Sequence, residues 1–301
     1  MKAQLVEDGG EQARSADFFR CREFQEAEGV THSLVVEDRF AAGLVVREVP
    51  GAGGALDATS AYGFPGAVVA ATPEPLDPRE VDWSETGLVT VFLRDSIGGE
   101  PCLEGGTLRS EVQLVDPRAE LDIRSTHARH IRRNERLGYT TAESGDIGAF
   151  GALYRQTMVR AEASKRYFFS DQYFERILAA DSARLLLTHD QEGRVASGAI
   201  VVESDRMLHY YLGGTADGVL EDSPFKSTVA AMIELAHEHE LPLNLGGGIR
   251  PGDALEHFKR GFANSTAPFY THEVVCDTAA YERLRAGRED SAFFPLYRAP
   301  G

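Results

Sequence analysis

Three short apolar runs, at residues 184–189, 196–202 and 207–213, constrain the fold most. Each is too short for a stable helix and is closed off by a turn, Asp190-Gln191-Glu192-Gly193 after the first and Glu203-Ser204-Asp205 after the second. Connections that short join antiparallel strands, because a parallel crossover needs a dozen or more residues. Ahead of the runs, residues 146–162 have helical spacing through Ile147, Phe150, Leu153, Tyr154 and Met158, and residues 171–180 read as a second helix. Behind them come a helix over 225–239 with Val229, Met232, Ile233 and Ala236 on one face, a strand over 241–245, a short helix over 255–262 and a strand over 267–276. That order is α+β with a mostly antiparallel sheet.

The first half repeats this order more loosely. Residues 15–28 read as an amphipathic helix with Phe18, Phe19, Cys21 and Phe24 on one side. Strands are predicted over 32–36, 43–49, 88–93 and 108–115, with a turn-rich segment over 50–66. The 301 residues are ample for two domains, and 43% hydrophobic content is enough for two cores. The expectation is two α+β domains, residues 1–145 and 146–301.

A net charge of -16 excludes a surface that coats nucleic acid, since most of it repels phosphate. Any RNA contact must be local. One dense basic segment exists: residues 126–137 read as a helix on which Arg129, Arg132, Arg133 and Arg136 share a broad face. Arginine forks suit phosphates, and a solvated face paired with acidic neighbours is the other reading. Cys21, Cys102 and Cys276 are scattered without a CxxC pair, which argues against disulfides and a zinc site. His237 and His239 are two apart on a helix and cannot face one point, and nothing completes a set with His209, so no metal or other cofactor is expected. Residues 1–10 hold Glu7 and Asp8 and no apolar core, and no run approaches the roughly 18 apolar residues of a membrane span. A cytoplasmic protein without membrane insertion is expected. Lysine is scarce: Lys2, Lys165, Lys226 and Lys259 are the whole set, so a lysine within a motif carries weight.

Four segments together resemble the Fem (FemABX) aminoacyltransferases, a tandem GNAT family. They are Tyr62-Gly63-Phe64-Pro65-Gly66, the basic segment 126–138 ending in Gly138, the aromatic pairs Tyr167-Phe168-Phe169 and Tyr173-Phe174, and Leu245-Gly246-Gly247-Gly248 followed by Phe258-Lys259-Arg260-Gly261-Phe262. The last combination is the most specific. The resemblance implies two GNAT-like domains in tandem, with mixed, mostly antiparallel sheets flanked by helices. It implies transfer of an amino acid from the acceptor end of an aminoacyl-tRNA to an amine of a peptide or small molecule. The amide would form by direct attack, without a Ser or Cys nucleophile. Two departures stand out. No segment has the heptads of the coiled-coil arm that many Fem enzymes carry. Ahead of the helix at 225–239, where acyl-CoA enzymes of the GNAT class hold pyrophosphate, stands Gly218-Val219-Leu220-Glu221-Asp222-Ser223-Pro224, whose acids repel phosphate.

The resemblance gives Lys259 the charge on the oxyanion and terminal ribose of the donor, and Phe258 a stacking role against the terminal adenine. The bland readings are a solvated surface lysine that adds little to stability and a core anchor for the short helix. Tyr62, Tyr210 and Tyr211 either orient the acceptor or pack, and Gly247 within the glycine triplet either admits a ligand to the backbone or bends a strand. Two alternative functions stay open: an N-acyltransferase using acyl-CoA or another thioester, and a GNAT-fold binding protein without catalysis.

Overall fold

A computed structural model describes residues 1–69, 74–250 and 252–299. The chain divides into two compact units, one made of Met1–Arg109 with Pro268–Gly301, the other of Ser110–Ala267. The first opens with β1 (Ala3–Val6), α1 (Arg22–Glu28), β2 (His32–Val36), β3 (Phe40–Glu48), β4 (Leu56–Ser60), β5 (Val68–Val69) and β6 (Leu88–Arg94). Strand β7 (Thr107–Val115) leads into the second unit. There follow α2 (Ser125–Arg136), β8 (Thr140–Glu143), α3 (Ile147–Arg160), α4 (Asp171–Ile177), β9 (Ala183–His189), β10 (Val195–Ser204), β11 (Met207–Thr215), α5 (Phe225–His239), β12 (Leu243–Gly246) and α6 (Ala254–Arg260). Strand β13 (Ser265–Val275) and α7 (Thr278–Arg285) complete the first unit.

Both units have the same sheet. In the first the order is β1-β2-β3-β4-β6-β13, with β5 added on β3; only β4 and β6 run parallel. In the second it is β8-β9-β10-β11-β12-β7, and only β11 and β12 run parallel. Each is a four-strand antiparallel meander, a fifth strand parallel to the fourth, and a sixth antiparallel to the fifth. The expected α+β tandem with mostly antiparallel sheets is therefore present, but the single cut near residue 145 is corrected. The strand that follows β6 in sequence, β7, pairs with β12, and the strand that follows β12, β13, pairs with β6. Hydrophobic periodicity locates strands but does not name their partners.

In the second unit the apolar face of α5 is buried as its spacing requires: Val229, Met232, Ile233 and Ala236 pack with Leu186, Ala199, Val201, Leu208 and Phe262. In the first, Leu34, Val36, Leu44, Val91 and Leu93 form the centre of a separate cluster. The helix expected over 15–28 is broken. Cys21 is extended (φ -71°, ψ 161°) and its Sγ accepts from Phe24 N at 3.5 Å, so α1 begins only after a 3₁₀ turn at Phe18–Arg20. Among the described residues no helix is long and apolar enough to cross a membrane.

Candidate functional site

The parallel strands β11 and β12 pair only at Leu208 with Leu243 and His209 with Asn244, although β11 continues to Thr215. Beyond that rung they carry no ladder. The rung is pinned. His209 Nε2–H donates to Ser204 O at 3.2 Å, Nδ1 accepts from Asn244 Nδ2 at 3.1 Å, and Asn244 Oδ1 accepts from Gly246 N at 2.7 Å. Burial pushes the His209 pKa down to about 4, so the ring is neutral, and with both nitrogens engaged it has no lone pair for a metal or a proton. Gly246 then turns the chain away with φ 77°, a conformation that favours glycine.

Lys259 occupies the space this turn opens. It lies on α6, capped by Asp253, whose carboxylate accepts from Glu256 N (2.8 Å), Ile249 N (2.7 Å) and Arg250 N (2.9 Å) and so ties the glycine loop to the helix start. The Lys259 ammonium donates to Gly247 O at 2.8 Å and stands 5.5 Å from the centroid of the Tyr210 ring. The residue is 7% exposed, which corrects the reading of a solvated surface lysine. Among the described residues it makes no ion pair, and burial lowers its pKa to about 8. A charge desolvated this far costs several kcal/mol unless compensated.

The sequence-level candidates separate here. Lys259, Tyr210 and Gly247 come together. Tyr211 does not join them: the register shifts between Ile200 opposite Leu212 and Val201 opposite Tyr210, leaving Tyr211 as the extra residue of a bulge. Its hydroxyl meets Tyr173 Oη at 2.5 Å, and the Tyr173 ring stacks on Phe169 at 4.1 Å. Phe258 packs among His127 (5.3 Å), Phe262 (5.4 Å) and Phe225 (6.3 Å), half-buried in the core cluster. Tyr62 belongs to the first unit, is 39% exposed, and its backbone N–H donates to Glu28 Oε2 at 3.0 Å.

Arg129, Arg132, Arg133 and Arg136 are all exposed on α2. Arg133 pairs with Asp222 at 2.8 Å, and the Tyr139 hydroxyl donates to the other Asp222 oxygen at 2.8 Å. Asp222 is thus engaged rather than a bare charge against phosphate, which revises half of the repulsion expected before α5. Arg136 Nε donates to Arg132 O at 3.2 Å, while Arg129 and Arg132 make no ion pair among the described residues. Sequence reasoning missed Lys226 in the first turn of α5. It donates to His130 Nδ1 at 3.0 Å, and its pKa is lowered by burial and by the charges of Arg129 and Arg124. Its rarity as a lysine, directly before a helical apolar face, was the signal available. Positive charge thus gathers beside the start of α5, an arrangement that attracts anions.

Residues 122–260 match the Acetyltransferase (GNAT) domain family, a span that runs from just before α2 to the end of α6. The second unit carries a GNAT domain. Its Lys259 stands next to the last matched residue. Solved structures extend the likeness over the whole chain. The FemX crystal structure superposes with a TM-score of 0.62 at 13% identity, covering 91% of this chain and 96% of that one. L-PGS from Bacillus licheniformis gives 0.61 at 11% identity, covering 85% and 87%. The C-terminal domain of a protein described as a lysylphosphatidylglycerol synthetase, from Agrobacterium fabrum, gives 0.58 at 14%, covering 90% and 92%. At such identities the likeness is one of fold, and the fold is the Fem-like GNAT tandem. No curated protein matches the sequence.

Proposed function

We propose that the protein is a cytoplasmic aminoacyltransferase that moves an amino acid from the acceptor end of a charged tRNA onto an amine of a peptide or small molecule. The observation that carries this reading is the Lys259 ammonium, desolvated and held by one carbonyl beside the opening between β11 and β12. When an amine attacks an ester carbonyl, negative charge develops on the carbonyl oxygen, and a fixed positive charge in a dry site stabilises it most. The amine attacks in its neutral form, the C–N bond forms, the ester C–O bond breaks, and the amine proton leaves with the ribose oxygen or to solvent. The name of one structural neighbour denotes a lysylphosphatidylglycerol synthetase, whose product joins an amino acid to an acceptor.

The choice of donor rests on the segment before α5. It is a 3₁₀ turn, Asp217–Asp222, that contains no glycine pair to close on a pyrophosphate, while Arg129 and Lys226 stand near each other at the start of α5 with side-chain charge suited to a phosphate. That favours RNA phosphates over acyl-CoA. Incubation with total charged tRNA and, separately, with a panel of acyl-CoA species decides the matter: loss of the aminoacyl ester supports the proposal, loss of acyl-CoA alone replaces it with the thioester reading, and no turnover of either leaves a binding protein.

Charge reversal tests the basic face. Arg133 is occupied by Asp222, so Arg129→Glu with Arg132→Glu is the cleaner pair. The log–log salt slope of charged-tRNA binding is expected to shrink by roughly 0.7–0.9 for each phosphate that the variant no longer neutralises. Fluorescence anisotropy over a salt series reads it; an unchanged slope makes α2 a solvated face.

The pH profile tests the charge state of Lys259. With its pKa at about 8, the charged fraction falls about tenfold per pH unit above that value. Single-turnover rates, corrected for ester hydrolysis and divided by the neutral fraction of the acceptor amine, are expected to decline from about pH 8 upward, and the residual rate of Lys259→Arg, treated the same way, to stay level because guanidinium keeps its charge. A wild-type rate so corrected and still climbing at about pH 9.5 rules out a charged Lys259 as the working form.

A further inference from the structure

In the first unit, β13 presents alternate residues to opposite faces. Thr271 and Glu273 engage Arg109 on one side, which turns Tyr270 and His272 to the other. There they meet Asp95, just past the end of β6, and the Gly105-Gly106 turn that precedes β7. Together with Leu103 and Glu104 these residues line a cleft of about 280 Å³. His272 is 4% exposed and Asp95 9%. His272 Nε2–H donates to Asp95, 3.1 Å and 3.2 Å from the two carboxylate oxygens, which fixes the ring. Nδ1 makes no hydrogen bond to any described residue. Gly106 leaves the room for this ring: a Cβ there would lie 3.0 Å from His272 Cε1.

We infer that this cleft is a binding site for a small primary ammonium compound. Its polar side chains are the His272 imidazole, the Asp95 carboxylate that this imidazole orients, and Glu104, set among Pro75, Pro101 and Leu103, with no lysine or arginine among the lining residues. An ammonium is the matching group, with three N–H donors and no acceptor. Tyr270 adds an aromatic wall, and aromatic faces favour cations. The volume, near the lower end of ligand pockets, suits a few heavy atoms rather than a nucleotide. A metal ion is the poorer fit, because no His/Cys/Asp/Glu group of three or more among the described residues is placed to share one. The inference does not rest on the transfer reading, since every residue it uses lies in the first unit.

Titration of the full-length protein with n-butylammonium, followed by ligand-observed NMR, tests it, with n-butanol and butanoate as uncharged and anionic controls. The expected result is saturable binding of n-butylammonium, at least about tenfold weaker binding of both controls, and a loss of about fivefold or more in Glu104→Gln, an exposed substitution that keeps the fold. Asp95→Asn, if it folds, should lose more. Lys259→Ala should bind n-butylammonium as the wild type does, which separates this cleft from the transfer site. Equal binding of n-butanol, indifference to Glu104→Gln, or loss of binding in Lys259→Ala would overturn the assignment, as would Mn²⁺ binding tightly and competing with the amine.

Discussion

Lys259→Ala is expected to lower single-turnover transfer about 100- to 1,000-fold, the usual consequence of removing one donor to a developing oxyanion, or about 2.7–4 kcal/mol. The fold should not suffer. Lys259 is buried without an ion pair among the described residues, and its pKa is lowered from 10.5 to about 8 by desolvation. A lowered lysine pKa means that between about pH 8 and 10.5 the unfolded chain binds more protons than the folded one, so stability rises with pH across that window. Below about pH 8 the folded protein bears the whole cost of the buried charge. Lys259→Met, which keeps the volume and removes the charge, is therefore expected to be at least as stable as the wild type at about pH 7. That advantage should shrink by roughly 3 kcal/mol as pH rises through the window, at about 1.4 kcal/mol per pH unit. Urea denaturation of both proteins at several pH values gives the difference. An inactive variant whose advantage follows this slope has lost a functional charge. A variant that loses stability and activity in step at about pH 7 has lost a structural one, and the site assignment fails.

How much of this was legible in the sequence depended on the reach of each interaction. The helix at 225–239 is read to the residue, because its apolar face repeats at helical spacing and Pro224 precedes it. The meander β9-β10-β11 is legible because its partners are neighbours in sequence. Strand β4 was not. It carries Asp57, fully buried, which looks like a turn residue until Arg47, Tyr297 and Arg298 are seen to satisfy it. Two of those partners lie some 240 residues away, beyond any local pattern. Within the site the motif supplied residue types but not depth. Lys259 is buried because β11 and β12 separate after His209, and no spacing rule states where two parallel strands part. Tyr210 and Tyr211 carried equal weight as neighbours; the bulge sends one to Lys259 and the other to Tyr173.

The second large effect concerns the glycine of Phe258-Lys259-Arg260-Gly261-Phe262. Gly261 closes α6 at φ -72°, ψ -9°, ordinary values for any residue, so its role is space and not backbone freedom. A Cβ there would lie 2.6 Å from His127 Cδ2 and closer still to Nε2. That imidazole clamps α2 to α6: it stacks on Phe262 at 4.5 Å, and Nε2–H donates to Phe258 O at 3.1 Å. The motif thus has divided labour, with Phe258, Gly261 and Phe262 forming a socket for His127 and Lys259 facing the opening. Gly261→Ala gains up to about 1 kcal/mol of helix propensity, yet is expected to destabilise by about 1–3 kcal/mol, because the ring is held on two sides and cannot yield without losing its hydrogen bond. The collision has one named partner, so it should vanish with that partner. In a His127→Ala background Gly261→Ala is expected to be neutral or stabilising, a coupling of roughly 1–3 kcal/mol in a double-mutant cycle read by denaturant unfolding. Additive losses in the cycle would mean that Gly261 is required for some reason other than the histidine it faces.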